Sequence, residues 1–197
     1  MCATIGRRLS LLHIFIVTTH RIDDEQSNID VSTPGLEGRL LTSDDVVRFF
    51  DRNEGYGYLQ AFATDALARG HRCFGVLERG RLLWYCWYAN GPATVFDDVE
   101  VVVDFPFMYG YNAHTHSDHR GRGLHRLGVN ASARTFASEG YRAFTAYIEA
   151  DNLAPLIAAR RMGERVVGFA VVYRVFGRVR WFATSGCQRG GFRIQRK

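Results

Sequence analysis

Thr115-His-Ser-Asp-His-Arg-Gly-Arg-Gly-Leu-His125 is the stretch on which the reading of this chain turns. The run Tyr109-Gly-Tyr-Asn-Ala-His-Thr115 leading into it has strand character, and the pattern from Leu124 to Ser138 leading out is helical. Between them Arg120, Gly121, Arg122 and Gly123 form a short glycine turn carrying two guanidinium groups. Strand, glycine turn and helix start together make a phosphate cradle. Glycine lets backbone N–H groups approach an anion, and the first N–H groups and dipole of the helix favour negative charge. The stretch therefore predicts a docking site for a phosphate-bearing cofactor.

At 197 residues the chain is long enough for one well-buried domain and short for two. With 47% hydrophobic and 23% charged residues it is an ordinary globular composition, which excludes a disordered or fibrous class. The net charge of +5 and pI near 9.2 point to an anionic partner until the charges are located. Residues 165–197 carry eight basic side chains and no acid, so that segment is +8 and residues 1–164 are −3. Basicity is thus a property of the C-terminal part. Every cation but Lys197 is arginine, a uniformity that carries no functional weight. Cys2, Cys73, Cys86 and Cys187 lack C-x-x-C spacing, so neither a zinc ribbon nor a redox pair is signalled, and a reduced, cytoplasmic protein is expected.

Arg7-Arg8 and the apolar run Leu9–Val17 resemble a secretion signal on the surface, but the run is too short to span a membrane, which takes about 20 apolar residues. His13 interrupts it and no small-x-small cleavage site follows, so a buried first strand is expected. Residues 23–38 are polar and turn-rich and read as a loop. Thr42-Ser-Asp-Asp45 has the composition of a helix N-cap, and a second helix is expected from near Gly57 to Arg69 with Gly70 as its stop. The period then changes: residues 72–77, the turn Glu78-Arg-Gly-Arg81 and residues 82–88 read as strand, turn, strand. Val95 to Val103 reads as one strand closed by Pro106. After the long helix, Tyr141 to Glu149 reads as a strand, Asp151-Asn152 as the cap of a helix stopped by Gly163, and Val166–Val175 with Gly177–Ala183 as an antiparallel pair. This order describes a mixed α/β or α+β domain.

With those residues in place, the sequence resembles the GNAT superfamily of acetyl-CoA-dependent N-acetyltransferases over roughly residues 40–182. The family's acyl-CoA signature, Gln/Arg-x-x-Gly-x-Gly/Ala, is similar to Arg120-Gly-Arg-Gly123-Leu-His125. Its second signature, an Asn followed by a helix and Gly-Phe, is matched by Asn152 and Gly163. The resemblance implies a mostly antiparallel central sheet flanked by helices, pyrophosphate binding by Arg120, Gly121, Arg122, Gly123 and Leu124, and Asn152 lining the CoA side. It also implies that backbone N–H groups from Ala113 to Thr115 lie near the acyl group. Departures are plain. His125 stands where the family prefers a small residue, Pro155 replaces Ala/Ser, and Glu164 replaces the Phe of Gly-Phe. The tyrosine that often protonates the departing thiolate falls at Ala159.

Direct attack on a thioester needs an unprotonated amine, hence a base. By strand alternation Tyr109, Tyr111, Ala113 and Thr115 share one face, and Asn112, His114 and His116 the other. Family members with a glutamate base often carry it where Tyr109 stands. Histidine needs less tuning than tyrosine to accept a proton near neutrality, so His114 is preferred; Tyr147 and Glu149 remain further options. His114, His116, Asp118, His119 and His125 match no metal-ligand motif, and no metal is expected.

The sequence is thus expected to hold an N-terminal strand and loop (1–38), an acetyltransferase domain (39–184) and a poorly ordered basic tail (185–197). The resemblance implies a primary amine of a small molecule as the acceptor, and the lead-in Tyr111-Asn-x-x-Thr-His116 before the glycine turn resembles acetyltransferases of bacterial polysaccharide or lipid-sugar modification, which favours an amino sugar. No membrane partner is expected, nucleic acid is disfavoured, and a homodimer is allowed. Two other classes stand beside the enzyme: a non-catalytic acyl-CoA-binding module, and a nucleic-acid binder using the basic tail.

Overall fold

The structure, a computed structural model, describes residues 12–22, 35–50, 60–96 and 98–197. Its strands are β1 (Leu12–Arg21), β2 (Leu36–Leu40), β3 (Arg72–Glu78), β4 (Arg81–Ala89), β5 (Ala93–Phe96), β6 (Val99–Val103), β7 (Phe107–Thr115), β8 (Ala143–Glu149), β9 (Arg165–Val175), β10 (Arg178–Ala183) and β11 (Phe192–Arg196). Its helices are α1 (Ser43–Phe49), α2 (Gln60–Ala68), α3 (Leu124–Ala137), α4 (Leu153–Arg161) and α5 (Ser185–Arg189). Two compact units form, and neither is a continuous piece of chain. One draws on Arg21–Gly91 and Asp104–Phe144; the other takes the residues up to His20, Pro92–Val103 and Thr145–Lys197.

In the first unit the strand order is β7-β4-β3-β2, with every pairing antiparallel. Helix α1 begins at a capping box: Asp45 N–H donates to Thr42 Oγ1 (3.1 Å) while Thr42 N–H donates to Asp45 Oδ2 (2.9 Å). Arg39 on β2 grips the same carboxylate with both terminal nitrogens, and these hydrogen bonds hold the Asp45 carboxyl well below the usual range. The expected loop at 23–38 is corrected at its end. Leu36–Leu40 is a strand in register with β3, with Leu36 opposite Glu78 and Gly38 opposite Val76, so its backbone groups find partners despite the turn-like composition. Residues 23–34, and the expected helix start near Gly57, lie outside the described residues.

One face of this sheet packs Tyr85, Trp87, Leu77 and Leu82 against Val46, Phe49 and Phe50 of α1 and the turn after it, and Ala63 and Ala66 of α2. The other face meets α3. Tyr88 Oη and Ser132 Oγ share a 2.6 Å hydrogen bond, and Tyr88 packs on Phe136 at 4.9 Å. Gly128 is where this helix comes closest: a Cβ there would lie 2.2 Å from two ring atoms of Trp84, which is fully buried.

In the second unit one sheet runs β10-β9-β1-β8 and another β11-β6-β5. The described part of the N-terminal apolar run is the expected buried strand, with Phe15 and Val17 in the core. The expected single strand from Val95 to Val103 is two: β5 and β6 form an antiparallel hairpin, because the chain turns at Asp98 between valine-rich segments that sequence reading joins. The basic tail is also corrected. It folds as α5 and then β11, paired with β6 from Phe192–Val103 to Arg196–Val99. Phe192 is buried while Arg193 points to the other side and is exposed, and Arg196, on the side of Phe192, is exposed at the strand's end.

Replacing Gly128 by Ala should lower stability by about 2–3 kcal/mol through overpacking, and Tm by roughly 5–10 °C. Helix propensity alone would stabilise by up to about 1 kcal/mol. A thermal melt that rises instead would show that α3 does not lie on Trp84 at this point.

Candidate active site

Strand β7 does not keep a strict two-residue alternation. Tyr109, Gly110 and Tyr111 pair with Ala89, Tyr88 and Trp87, but His114 pairs with Tyr85 and Thr115 with Trp84. Asn112 and Ala113 together occupy the space opposite Cys86, and Asn112 has φ 52. This is a β-bulge, with one extra residue on β7. Residues directly opposite on paired strands share a face. Tyr109, Tyr111 and His114 therefore lie on one face, alongside Tyr85 and Trp87. The expected separation of His114 from Tyr109 and Tyr111 is overturned, because an inserted residue reverses the parity of everything after it. Asn112 and Ala113 are exposed, and a bulge leaves one residue out of the ladder.

His114 is half-buried and stacks on Tyr85, ring centroids 5.7 Å apart. Burial, then the positive charge of Arg120 and of His116, pushes its pKa below the ordinary histidine value, so the neutral imidazole dominates at neutral pH. Tyr109 is buried and lies flat on Tyr111, centroids 5.0 Å apart. Tyr111 in turn shares a 2.5 Å hydrogen bond with Nδ1 of the buried His71, and burial pushes its phenol pKa well up. His71 was missed by sequence reasoning, because nothing near Gly70 signals a partner on β7.

After Thr115 the chain makes a short 3₁₀ turn, Ser117–His119, and enters the glycine turn. Gly121 and Gly123 have φ 79 and 72, a region closed to most L-residues, and no atom lies within 4 Å of where their Cβ atoms would be. Gly123 is the N-cap of α3; no side chain caps this end and its first turn holds no acid. The first N–H groups of this 14-residue helix have no side-chain cap, and the glycines before them add no Cβ. Leu124 is buried, leaving its backbone N–H as its contribution here. A phosphate group fits this cradle.

The arginines differ in what holds them. Arg122 Nη2 donates to Glu78 Oε1 at 2.7 Å and its Nη1 lies 3.0 Å from His119 Nδ1, while Arg120 Nε lies 3.4 Å from the Thr115 carbonyl oxygen. Glu78, read from sequence only as a turn residue, therefore shares its charge with Arg122. The oversized His125 does not fill the cradle with its whole ring: its Nδ1 accepts the Trp84 indole N–H at 3.0 Å. An indole nitrogen only donates, so Nδ1 carries no proton, and a neutral His125 carries its proton on Nε2.

Asn152 belongs to the other unit, where it is the N-cap of α4 and makes no side-chain cap bond. Ala159 is buried in that helix and has no proton to donate. Glu164 accepts a 2.6 Å hydrogen bond from Thr18 Oγ1, and burial pushes its pKa up. Of the lesser base options, Glu149 pairs with His13 at 3.7 Å and Tyr147 packs on Phe15 at 4.4 Å. Among the described residues no three His, Cys, Asp or Glu side chains are grouped to hold a metal ion. No described helix is long and apolar enough to cross a membrane.

No family model matches the sequence, and no curated protein matches it. Solved structures do. A functionally unknown conserved protein from Staphylococcus epidermidis ATCC 12228 aligns with TM-score 0.54 at 10% identity, over 83% of this chain and 62% of that one. A protein described as a candidate GNAT-family acetyltransferase, from Novosphingobium aromaticivorans DSM 12444, aligns with TM-score 0.51 at 17% identity, over 81% of this chain and 62% of that one. This chain spans less than two thirds of the length of either. The fold is shared with that GNAT-family structure: a mixed α/β arrangement of mostly antiparallel strands with flanking helices.

Replacing Arg120 by Gln should raise the His114 pKa, since a neighbouring positive charge is removed while burial stays. An NMR titration of the His114 ring in both proteins measures this. An unchanged midpoint would mean that Arg120 does not act on the imidazole.

Proposed function

We propose that the chain transfers an acetyl group from acetyl-CoA to the primary amine of a small molecule. The observation that carries this reading is the glycine turn with two left-handed residues, opening on the uncapped end of α3 directly after a bulged strand. Backbone N–H groups from Gly121 to Leu124, with Arg120, would hold the pyrophosphate. Arg122 joins them by exchanging Glu78 for phosphate.

Acetyl-CoA supplies an acyl group activated as a thioester. The protein's share of the chemistry is orientation and proton handling. The bulge frees backbone at Asn112–Ala113, and an N–H there or at Thr115 would donate to the acyl oxygen. His114, neutral at physiological pH, would take the proton of the attacking amine. Its position on the face of Tyr111 and Tyr85, with its ring held by stacking, supports it over the buried Tyr109. Phe62 and Tyr111, both partly exposed, offer aromatic surface of the kind on which a sugar ring packs, which favours an amino sugar among the acceptors. With Ala159 in place of an acid on α4, the thiolate would be protonated by solvent or by another donor.

Gly123→Glu should abolish acetyl-CoA binding measured by calorimetry, because both the left-handed backbone and the open space are lost and a like charge is added. Retained affinity would remove the cradle from this turn. His114→Gln should lower kcat by about 100- to 1000-fold while leaving acetyl-CoA affinity in place. In the wild type, kcat/KM should rise with pH through the depressed His114 pKa, as the imidazole loses its proton, and His114→Gln should lose that limb. Thiol release with a panel of amines, amino sugars first, measures both. Tight binding without turnover on any amine would favour the acyl-CoA-binding module, a reading to which Ala159 lends weight.

A further inference from the structure

The second unit carries a sheet face on which several described apolar side chains are exposed. Register places Leu12, Ile14 and Ile16 of β1 opposite Tyr173, Val171 and Phe169 of β9, and Arg178, Arg180 and Phe182 of β10 opposite Val175, Tyr173 and Val171. These residues share one side of three adjacent strands. The other side of the same strands is core: Phe15, Val17, Ala170 and Val172 are buried, and Phe15 packs on Phe96 and Tyr147. On the first side Leu12, Ile14, Phe169, Val175 and Phe182 are each 43–56% exposed, and Phe176 at the hairpin tip is fully exposed.

Both faces of β1 and β9 are therefore apolar, which is the pattern of a strand buried on both sides. Strands whose outer face meets water read as apolar-polar alternation, and β1 breaks this at Leu12, Ile14 and Ile16. Among the described residues that register places on this face of β1, β9 and β10, the only charges are Arg178 and Arg180, both on the terminal strand β10. Half-exposed side chains of roughly 150–200 Å² each leave about 400 Å² of apolar surface. Phe176, Tyr173 and the arginine stems carry the patch toward the ~800 Å² per partner that a standard interface buries. A monomer's largest apolar patch is about 300–600 Å².

We propose that this face is the contact of a homodimer, two copies packing sheet on sheet across a two-fold axis that runs along β9. The position of the charges selects the occupant. An anionic partner would be met by cations at the centre, whereas here the centre is uncharged and the two guanidinium groups lie at one edge. It also selects the axis. A two-fold across the strands would set Arg180 near its own copy. An axis along β9 instead lays each β10 over the other copy's β1, where the Arg180 stem covers Leu12, Phe182 covers Ile14, and the guanidinium heads stay in water. The concavity of about 460 Å³ lined by Tyr173, Val175, Phe176, Arg178 and Arg180 then receives Leu12 of the second copy. Sheets packed this way lie about 10 Å apart with strands within about 30°.

Sedimentation of the full chain from about 1 to 100 μM tests this. The expected result is a reversible dimer that Ile14→Asp and Phe182→Asp each weaken at least about tenfold, since each buries an unpaired carboxylate. Both positions are exposed in the single chain, so circular dichroism should show both variants folded. Leu153→Asp, a similarly exposed apolar position on α4, should leave the dimer unchanged. A chain that stays monomeric throughout would overturn the proposal, as would a dimer indifferent to both variants. Flotation of a monomeric chain with vesicles of 70% phosphatidylcholine and 30% phosphatidylserine, lost in Phe182→Asp, would overturn it in favour of a membrane surface.

Discussion

One inserted residue on β7 governs the candidate site. At Asn112–Ala113 two residues stand where one would fit, and Asn112 adopts a left-handed conformation to accommodate them. The consequence reaches every later residue of the strand. His114 turns to the side of Tyr109 and Tyr111, stacks on Tyr85 and loses part of its solvation, while Thr115 hands the chain to the glycine turn. A regular strand would point His114 toward the side occupied by α3. The same insertion thus aims His114 and takes backbone at Asn112–Ala113 out of the ladder, two effects of a single change in register.

The glycine turn is held from behind rather than from within. His116 N–H donates to the Leu83 carbonyl at 2.9 Å, Trp84 fixes the His125 ring, and Gly128 lets α3 settle on the Trp84 face. These contacts all involve β4, so the helix end is aimed by the strand beside it and its first N–H groups need no side chain of their own. That arrangement leaves the anion site open. Glu78 holds Arg122 by an ion pair, so Arg122 would have to leave that carboxylate to meet a phosphate as proposed. The electrostatics of the turn therefore distinguish Arg120 from Arg122, which sequence treats alike.

Charge counting misled where folding reorganised the chain. The +8 segment looks like a solvated tail, yet Cys187 and Phe192 are fully buried and β11 completes a sheet with β6. Thr145 Oγ1 donates to the Gly190 carbonyl at 2.8 Å, a buried tie between β8 and the turn before β11. Basic residues here decorate a folded element; they do not define an arm.

Local patterns alone were sufficient for the elements whose signals lie within a few residues. The capping box at Thr42 and Asp45, the hairpin turned at Glu78–Arg81, the buried strand at Phe15 and Val17, and the glycine turn at Arg120–Gly123 are of this kind. Each depends on backbone conformation or on apolar spacing that the residues themselves dictate. Tertiary structure decided what depends on distant partners. The bulge exists because β7 must match β4, the strand at Leu36 because β3 offers it hydrogen bonds, and the order of the last residues because β6 receives them. His71 meets Tyr111 across 40 residues of sequence, Arg122 meets Glu78 across 44, and no local pattern encodes either pairing. Register and ion pairing are properties of two segments at once, and a single chain read in order shows only one of them at a time.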